Sequence, residues 1–275
     1  MLSRHILHIC SCHILLVFIC SLLCVSVAGK EKNKNKKKEA LNIIYTPEPD
    51  PLAIQPQPHS NIRPLEEVSL ISDSICVIRE GIDVSHYQGT IDWAAVAATR
   101  TAGYVYIKAS EGASLVDDCY AYNIREARRY GLKVGSYHFF RGNVPVEIQL
   151  ANMTACVKKE EQDLIPIVDV EHTNGVSNEL LASRLHQFME ALTRYYGKKP
   201  MLYTFVNFYN KHLQGKGFEK YMLMLAFYRD YQPILNDGRR YAVWQYTARG
   251  NITGIKGHVD RSRIMEGFTL KDISL

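Results

Sequence analysis

Cysteine is scarce in most of this chain, and where it occurs it shows no metal-binding spacing. Four of the seven cysteines lie within the first 24 residues, which leaves Cys76, Cys119 and Cys156 in the remainder. Three cysteines cannot supply the dense disulfide framework of a small secreted domain, and none follows a zinc-ligand spacing. One disulfide bond is compatible with this pattern in an exported protein, and buried free thiols are the alternative.

An excess of one charge is also lacking over most of the chain. The formal net charge of +5 arises within residues 1–40, which carry seven basic and two acidic side chains. The remaining 235 residues hold 26 basic and 26 acidic side chains. A neutral folded region gives no electrostatic basis for binding a phosphate backbone, so we predict no nucleic-acid partner.

Long hydrophobic runs are confined to the N-terminus. Arg4 and His5 precede an apolar stretch at residues 14–27, and residues 26–28 (SVA) form a small-x-small pattern. These features predict a signal peptide over residues 1–29, and therefore a protein exported to the cell envelope, as periplasm or surface, or secreted. The alternative is a retained signal anchor, in which case the protein contacts the membrane through this segment alone. The lysine-rich run that follows the apolar stretch opposes such an anchor under the positive-inside rule.

Residues 30–75 lack the apolar periodicity of a packed unit. A Lys/Asn/Glu-rich stretch is followed by six prolines, at positions 47, 49, 51, 56, 58 and 64. This composition predicts a solvated, disordered linker with polyproline character. We therefore expect the folded domain at residues 76–275.

Short β-rich runs alternate with helical stretches throughout this predicted domain. Alternation of this kind is typical of a parallel sheet covered by helices, and about eight strands indicate a barrel. The last strands have little helix between them, so the predicted fold is an irregular TIM-like (β/α) barrel of the α/β class. The predicted strands are residues 80–84, 103–108, 133–139, 165–170, 200–205, 222–227, 241–246 and 258–260, and the predicted helices are residues 92–101, 117–130, 145–160, 177–196 and 207–214.

Polar side chains cluster where these strands end. Asp169 and Glu171 follow the apolar run at residues 164–168, and alternation along a strand places both on one face, roughly 6.6 Å apart. In parallel barrels the carboxyl ends of the strands form the active face, so we expect the strand-end residues to converge there. The others are Asp83, Glu111, His138, Gln245 and Asp260.

Three interpretations of the acidic residues were weighed. Salt-bridged strand ends are one, but four acids need more compensating bases than the neighbouring sequence offers. A metal site is another, yet no recognised spacing of ligands is present, and we predict neither a metal nor another cofactor. Cleavage of a glycosidic bond is the third, because it uses two carboxyl groups, one of them protonated. Aromatic platforms for sugar rings would then come from the aromatic residues at or near the strand ends, which are Tyr87, Tyr106, Tyr137, Phe139, Tyr203, Trp244 and Tyr246.

The strand-end segments resemble glycoside hydrolase family 25, the lysozymes or N-acetylmuramidases that cut peptidoglycan. The resemblance covers roughly residues 78–268, in the family's order. It rests on residues 81–89 (GIDVSHYQG), 91–93 (IDW), 106–112 (YIKASEG), 135–139 (GSYHF), 166–171 (PIVDVE), 202–204 (LYT), 243–246 (VWQY) and 254–260 (GIKGHVD).

The resemblance implies a flattened, irregular α/β barrel that acts as a monomer on peptidoglycan glycan strands. It implies that Glu171 is the general acid and Asp169 its partner, and that Asp83 and Asp260 line the same pocket. It also implies that Tyr137 holds the reacting sugar. Ser262 departs from the family pattern, which usually has Asn there, so the hydrogen bonding beneath Asp260 is expected to differ.

The placement of Asp169 and Glu171 on one strand face favours a mechanism in which the substrate assists. In that route the N-acetyl group of the sugar attacks its own anomeric carbon, and the anomeric configuration is retained. A direct carboxylate nucleophile is the alternative mechanism. Two alternative functions also stand: a non-catalytic wall-binding barrel, and a chitinase or endo-glucosaminidase, which also uses acids spaced by one residue on a strand.

Overall fold

The structure, a computed structural model, describes residues 78–275. The predicted signal segment, the predicted linker and Cys76 lie outside the described residues. Within residues 78–275, no helix is both long and apolar enough to cross a membrane. Cys119 and Cys156, the two cysteines in this part of the chain, are free thiols, so they do not form a disulfide with each other.

The described residues form a closed barrel with helices around it, which confirms the predicted α/β barrel. The strands are β1 (Glu80–Val84), β2 (Tyr104–Glu111), β3 (Leu115–Val116), β4 (Lys133–Phe139), β5 (Ile167–Asp169), β6 (Met201–Phe205), β7 (Leu223–Ala226), β8 (Val243–Gly250) and β9 (Val259–Ile264). Seven strands run parallel in the order β1-β2-β4-β5-β6-β7-β8, and β9 pairs antiparallel with both β8 and β1 to close the ring. A short strand, β3, extends β2 as an antiparallel hairpin outside the ring.

Alternation along the strands divides the buried side chains into two layers. On β5, Ile167 packs inside the barrel with Tyr104 and Tyr106, whereas Val168 and Val170 pack outward against the helices. The outer layer is the larger hydrophobic cluster and includes helix residues such as Phe188. Each strand therefore presents every second side chain to the barrel interior, as the period of 2 requires.

The helices that lie wholly within the described residues follow the predicted order. The helices are α1 (Trp93–Thr99), α2 (Tyr120–Arg129), α3 (Val146–Cys156), α4 (Asn178–Tyr196) and α5 (Val206–Phe208), which continues into a π-helical turn at Tyr209–Leu213. Helix α4 begins after Ser177, whose hydroxyl accepts a hydrogen bond from the Leu180 N–H, and is followed by Gly197 in a left-handed conformation (φ 79°). That arrangement satisfies backbone groups at both ends of the helix.

Two glycines allow large tyrosines to fill the barrel. A Cβ atom on Gly81 would lie 2.1 Å from the Tyr104 ring, and one on Gly135 would lie 2.4 Å from the Tyr106 ring. Each ring lies inside the barrel against the backbone of the paired strand, so only glycine fits beside it. The tyrosines close the barrel below the acidic strand ends, so the barrel is a packed core with a cleft at one end.

The prediction of elements was accurate except where side-chain pattern carries little information. All eight predicted strands are present, with ends displaced by a few residues. Strand β3 was not predicted, because its two residues are exposed and are too few to show alternation. The predicted helix at residues 207–214 is instead a short helix followed by a π-helical turn.

Candidate active site

A cleft of about 220 Å³ opens at the carboxyl ends of the strands. Its polar character comes from acids on three strands and from one lysine, and its walls are aromatic. Asp83 lies on β1, Asp260 on β9 and Asp169 at the end of β5, with Glu171 two residues further on. The acids and aromatic residues that line the cleft are Asp83, Asp169, Glu171, Asp260, Tyr87, Tyr106, Tyr137, Phe139 and Tyr203, and the lysine is Lys108.

Asp169 and Glu171 both face the cleft because Val170, between them, is buried in the outer hydrophobic layer. Asp169 is only 6% exposed, and its Oδ1 atom has no hydrogen-bond partner among the described residues. Burial raises the pKa of Asp169 well above its usual value, and the charge of Glu171 raises it further. A carboxylate oxygen that is buried without a donor is costly, and a ligand N–H would satisfy it.

The surroundings of Glu171 favour its protonated form. Burial, followed by the negative charge of Asp260, raises the pKa of Glu171 to about 7. Lys108, a hydrogen bond with Tyr203 and the charge of Arg141 act in the opposite direction. Since the pKa lies near neutrality, the side chain can donate a proton and later accept one, as a general acid and base must.

Asp83 and Asp260 form a second acidic pair across the β1–β9 seam. The two residues are direct partners in the antiparallel register, and their carboxyl groups share a hydrogen bond. Burial and the neighbouring Asp260 raise the pKa of Asp83 well above its usual value, and burial raises the pKa of Asp260 to about 6. Repulsion between two neighbouring carboxylates favours keeping a proton on the pair, and the negative charge of Asp260 acts on Glu171.

Gln245 connects this pair to the opposite wall of the cleft. Its amide Nε2 donates to Oδ1 and Oδ2 of Asp83, both at 2.9 Å. Its Oε1 accepts hydrogen bonds from the hydroxyl groups of Tyr203 (2.8 Å) and Tyr228 (2.7 Å). Two donors on one side and a carboxyl group on the other fix the orientation of the amide. Gln245, predicted as a contact of the substrate, therefore lies behind Asp83 and positions it.

Lys108 is the residue of the site that the sequence analysis missed. Its side chain lies on the cleft wall and is 9% exposed, with Nζ 2.7 Å from Oε2 of Glu111. The ammonium group also lies 5.4 Å from the centre of the Phe139 ring. Glu111, predicted as a substrate contact, is instead bound between Lys108 and Arg141, and their charges lower its pKa. A lysine within a buried apolar strand was the signal that could have identified it.

His138 does not line the cleft, which corrects the prediction that it contacts the substrate. Its ring faces the helices, is fully buried and lies 5.2 Å from the ring of Phe188. Nδ1 lies 2.8 Å from the Ser110 hydroxyl and Nε2 lies 3.2 Å from Oε1 of Gln149. Burial lowers its pKa to about 4, so the ring is neutral. The reason is alternation: Tyr137 and Phe139 face the cleft, so the residue between them faces away.

Trp244 and Tyr246 also lie away from the residues that line the cleft, contrary to the prediction. Trp244 packs in the outer layer, and its Nε1 donates to the backbone carbonyl of Phe227 at 2.9 Å. The Tyr246 hydroxyl donates to Glu80 at 2.7 Å, and Arg263 covers the ring. Because Gln245 faces the interior, Trp244 faces outward, and a bulge between Gln245 and Thr247 turns Tyr246 out of the alternation.

The remaining predicted aromatic residues line the cleft at different depths. Tyr106 forms its floor, with its hydroxyl donating to the Ile165 carbonyl at 3.2 Å, while Tyr137 and Tyr203 form its walls.

Ser262, the departure from the family pattern, is buried with its hydroxyl 3.1 Å from that of Tyr104. Within the part of the chain that the structure describes, no group of three or more His, Cys, Asp or Glu residues is arranged to hold a metal ion.

Comparisons with known proteins agree with the barrel fold. The sequence profile named "Glycosyl hydrolases family 25" matches residues 82–255. The chain is 36% identical to the uncharacterised protein YegX of Escherichia coli K12 over 184 residues, which are 66% of this chain and 67% of that protein. It is 31% identical to an autolytic lysozyme of Clostridium acetobutylicum over 189 residues, covering 69% of this chain and 56% of the relative. A family 25 glycosyl hydrolase structure from Bacillus anthracis aligns with a TM-score of 0.64 at 29% identity, over 69% of this chain and 89% of the other.

Proposed function

The chain belongs to family 25 of the glycosyl hydrolases and has lysozyme-type activity, and from this premise we propose that it cleaves the β-1,4 bond between N-acetylmuramic acid and N-acetylglucosamine in peptidoglycan. The observation that carries the proposal is the convergence of Asp83, Asp169, Glu171 and Asp260 in one aromatic-walled cleft. Folding alone does not favour four buried acids with so few bases. A reaction that develops positive charge on a sugar ring does.

Glu171 is the general acid of this mechanism. Below neutral pH it carries the proton that the leaving oxygen requires, because its pKa is raised to about 7. The negative charge of Asp260 opposes its ionisation. The same charge stabilises the oxocarbenium character that develops at the anomeric carbon.

Asp169 assists the substrate's own nucleophile. Its unpartnered Oδ1 accepts a hydrogen bond from the acetamido N–H of the sugar, which orients the acetamido carbonyl oxygen towards the anomeric carbon. The carbonyl oxygen forms a bond to that carbon while the bond to the leaving oxygen breaks, and Glu171 protonates the leaving oxygen. Water then attacks the anomeric carbon, and the bond between that carbon and the acetamido oxygen breaks. Glu171 takes a proton from the water, and the anomeric configuration is retained.

The orientation of the two acids favours this route over a direct carboxylate nucleophile. Asp169 and Glu171 follow one strand and face the same wall of the cleft. A direct carboxylate nucleophile and its acid lie on opposite sides of the scissile bond. This geometry supports assistance by the substrate, with Tyr137 and Tyr203 against the reacting sugar.

The domain organisation and location complete the proposal. Residues 76–275 form the catalytic domain, which acts as a monomer. Residues 1–29 direct export as a signal peptide or signal anchor, and the linker at residues 30–75 separates that segment from the domain. Peptidoglycan lies outside the cytoplasmic membrane, so an exported or envelope-bound enzyme meets its substrate there.

Product analysis on purified peptidoglycan tests the proposal. We expect new reducing ends that are N-acetylmuramic acid, released first as the β-anomer. Reducing ends of N-acetylglucosamine would instead indicate a chitinase-like or endo-glucosaminidase activity. Binding without any new reducing ends would indicate a wall-binding barrel, and an α-anomer as the first product would contradict retention.

A further inference from the structure

Tyr87 is the most exposed aromatic side chain among the described residues that line the cleft. It lies in a three-residue 3₁₀ turn, His86–Gln88, directly after β1, and is 81% exposed. Single exposed aromatic residues are common on protein surfaces and by themselves indicate little. What distinguishes Tyr87 is that the backbone beneath this exposed ring is rigidly held at the mouth of a cleft.

The turn is fixed internally by a capping box. The Ser85 hydroxyl accepts a hydrogen bond from the Tyr87 N–H at 3.3 Å, and the Gln88 side chain accepts one from the Ser85 N–H at 2.9 Å. The Gln88 amide also donates to the carbonyl of His258 at 3.2 Å. The turn is thereby joined to the loop that precedes β9, the strand paired directly with β1.

A second anchor comes from Asp117, whose side chain is fully buried. One of its oxygens lies 3.0 Å from the His86 backbone nitrogen and 2.7 Å from the His86 Nδ1. The His86 ring in turn lies against the Tyr87 ring, with the ring centres 4.1 Å apart. One side of the tyrosine ring is therefore supported by His86, and the rest remains open to solvent.

The small volume of the cleft indicates that a bound glycan strand reaches this rigid ring. About 220 Å³ is less than the roughly 300–1,000 Å³ typical of a site that encloses a whole small ligand. A glycan strand bound there must therefore extend beyond the cleft and across its rim. Pyranose rings present an apolar face of C–H groups, and a rigid aromatic ring binds such a face at little cost in conformational entropy.

We propose that Tyr87 forms an outer sugar subsite, where its ring stacks on a pyranose ring of the glycan strand beyond the two sugars at the cleaved bond. This subsite rests on the proposed function, since it names part of the substrate of the same cleft. It makes the enzyme prefer long glycan strands over short fragments. The His86–Asp117 contact and the capping box hold the subsite in place before substrate arrives.

The test compares long glycan strands, freed of peptide, with a tetrasaccharide of the same repeat. For Tyr87→Ala we expect kcat/KM on long strands to fall about tenfold, mostly through KM, which corresponds to roughly 1.4 kcal/mol. The loss on the tetrasaccharide should be smaller. Tyr87→Trp should retain the preference for long strands. Tyr130→Ala, which removes a 43% exposed tyrosine that does not line the cleft, is the matched control and should match the wild type.

A binding measurement separates this subsite from the proposed function. Glu171→Gln protein, with and without Tyr87→Ala, is titrated with the long strands. Weaker binding by the double variant supports the subsite even if the wild type cleaves a different bond. Equal binding by the two proteins, or an equal loss of kcat/KM on long and short substrates, would overturn the proposal.

Discussion

Two sets of buried polar side chains lie on opposite faces of the same barrel wall, and they differ in how fully their polar atoms are satisfied. On the outer face, both ring nitrogens of His138 have partners, Ser110 and Gln149. On the inner face, Asp169 has an oxygen without a partner and Glu171 carries a strongly raised pKa. Polar groups with all their hydrogen bonds made stabilise a core and define its packing. Buried acids with an unpaired oxygen instead leave a hydrogen bond for a ligand to make. The difference predicts opposite consequences for substitution on the two faces.

The largest effect is expected for Glu171→Gln. Glutamine has a similar shape but no proton to donate to the leaving oxygen, so turnover on peptidoglycan should fall by about 10²–10⁴-fold. Affinity for glycan should stay close to that of the wild type, and the thermal unfolding temperature at pH 7 should rise, because glutamine replaces an acid whose pKa is raised above its unfolded value. A variant that lyses cell walls at a near wild-type rate would remove Glu171 from the role of acid.

The second effect, from Asp169→Asn, should lower activity and raise stability together. Loss of the carboxylate acceptor should reduce kcat by about 10²–10³-fold, with a smaller change in KM. The folded-state pKa of Asp169 is raised above its unfolded value. Its contribution to stability is therefore present below the unfolded pKa and is lost as pH rises through the folded pKa.

Asparagine cannot ionise, so the variant should unfold at a higher temperature than the wild type at pH 7 and at the same temperature near pH 3. Calorimetry at the two pH values measures this. A variant that is less stable at pH 7 would show that Asp169 is a satisfied structural group like His138, and the contrast between the faces would fail.

The alternation of side chains along the strands predicts much of this contrast between the two faces from the sequence. The apolar run before Asp169 identified β5, and the spacing of Asp169 and Glu171 correctly placed both on the cleft side. The same period of 2, applied to Tyr137, His138 and Phe139, would have excluded His138 from the cleft. The strand-end pattern that suggested His138 cannot distinguish the two faces of a strand, whereas alternation can.

Other features depend on contacts that sequence spacing does not determine. The bulge in β8 displaces Tyr246 from the alternation, and the bulge in β2 follows Lys108. Tyr228 reaches Gln245 from the loop after β7, across 17 residues of chain. Such long-range hydrogen bonds are fixed by how the strands close the barrel, so they could be located only in the structure.

A third, intermediate effect is expected from Lys108→Met, which removes the positive charge on the inner face. Lys108 lowers the pKa of both Asp169 and Glu171, so its loss should raise both. The acid limb of the pH–rate profile, which requires ionised Asp169, and the alkaline limb, which requires protonated Glu171, should both move to higher pH. Activity should fall several-fold on the acid side and change little or rise above pH 7.

Lys108→Arg is the matched control, because it keeps the charge and should keep the profile. The Lys108→Met variant keeps the other charged or titratable groups around this position, so a shift of its pH–rate profile reports the missing ammonium group. These groups are Glu111, Arg141, Asp83, Asp260 and His138. A profile of reduced height at unchanged pH would mean that Lys108 serves only to pack against Phe139 and pair with Glu111.

The smallest effect on activity is expected from His138→Leu, on the outer face, and there the consequence is for stability. Leucine leaves Ser110 and Gln149 without their ring partner, so the variant should lose about 1–3 kcal/mol of unfolding free energy at pH 7 while kcat and KM per folded molecule stay unchanged.

The folded pKa of His138 is lowered to about 4. A depressed pKa stabilises the fold above the unfolded pKa, and that contribution, about 3 kcal/mol, is lost as pH falls from about 6.5 through 4. The leucine variant lacks this term, so its disadvantage should shrink on acidification, in the opposite sense to the Asp169→Asn variant. Denaturant titrations at pH 7 and pH 4 measure both, and a kcat that falls with stability retained would place His138 in the chemistry after all.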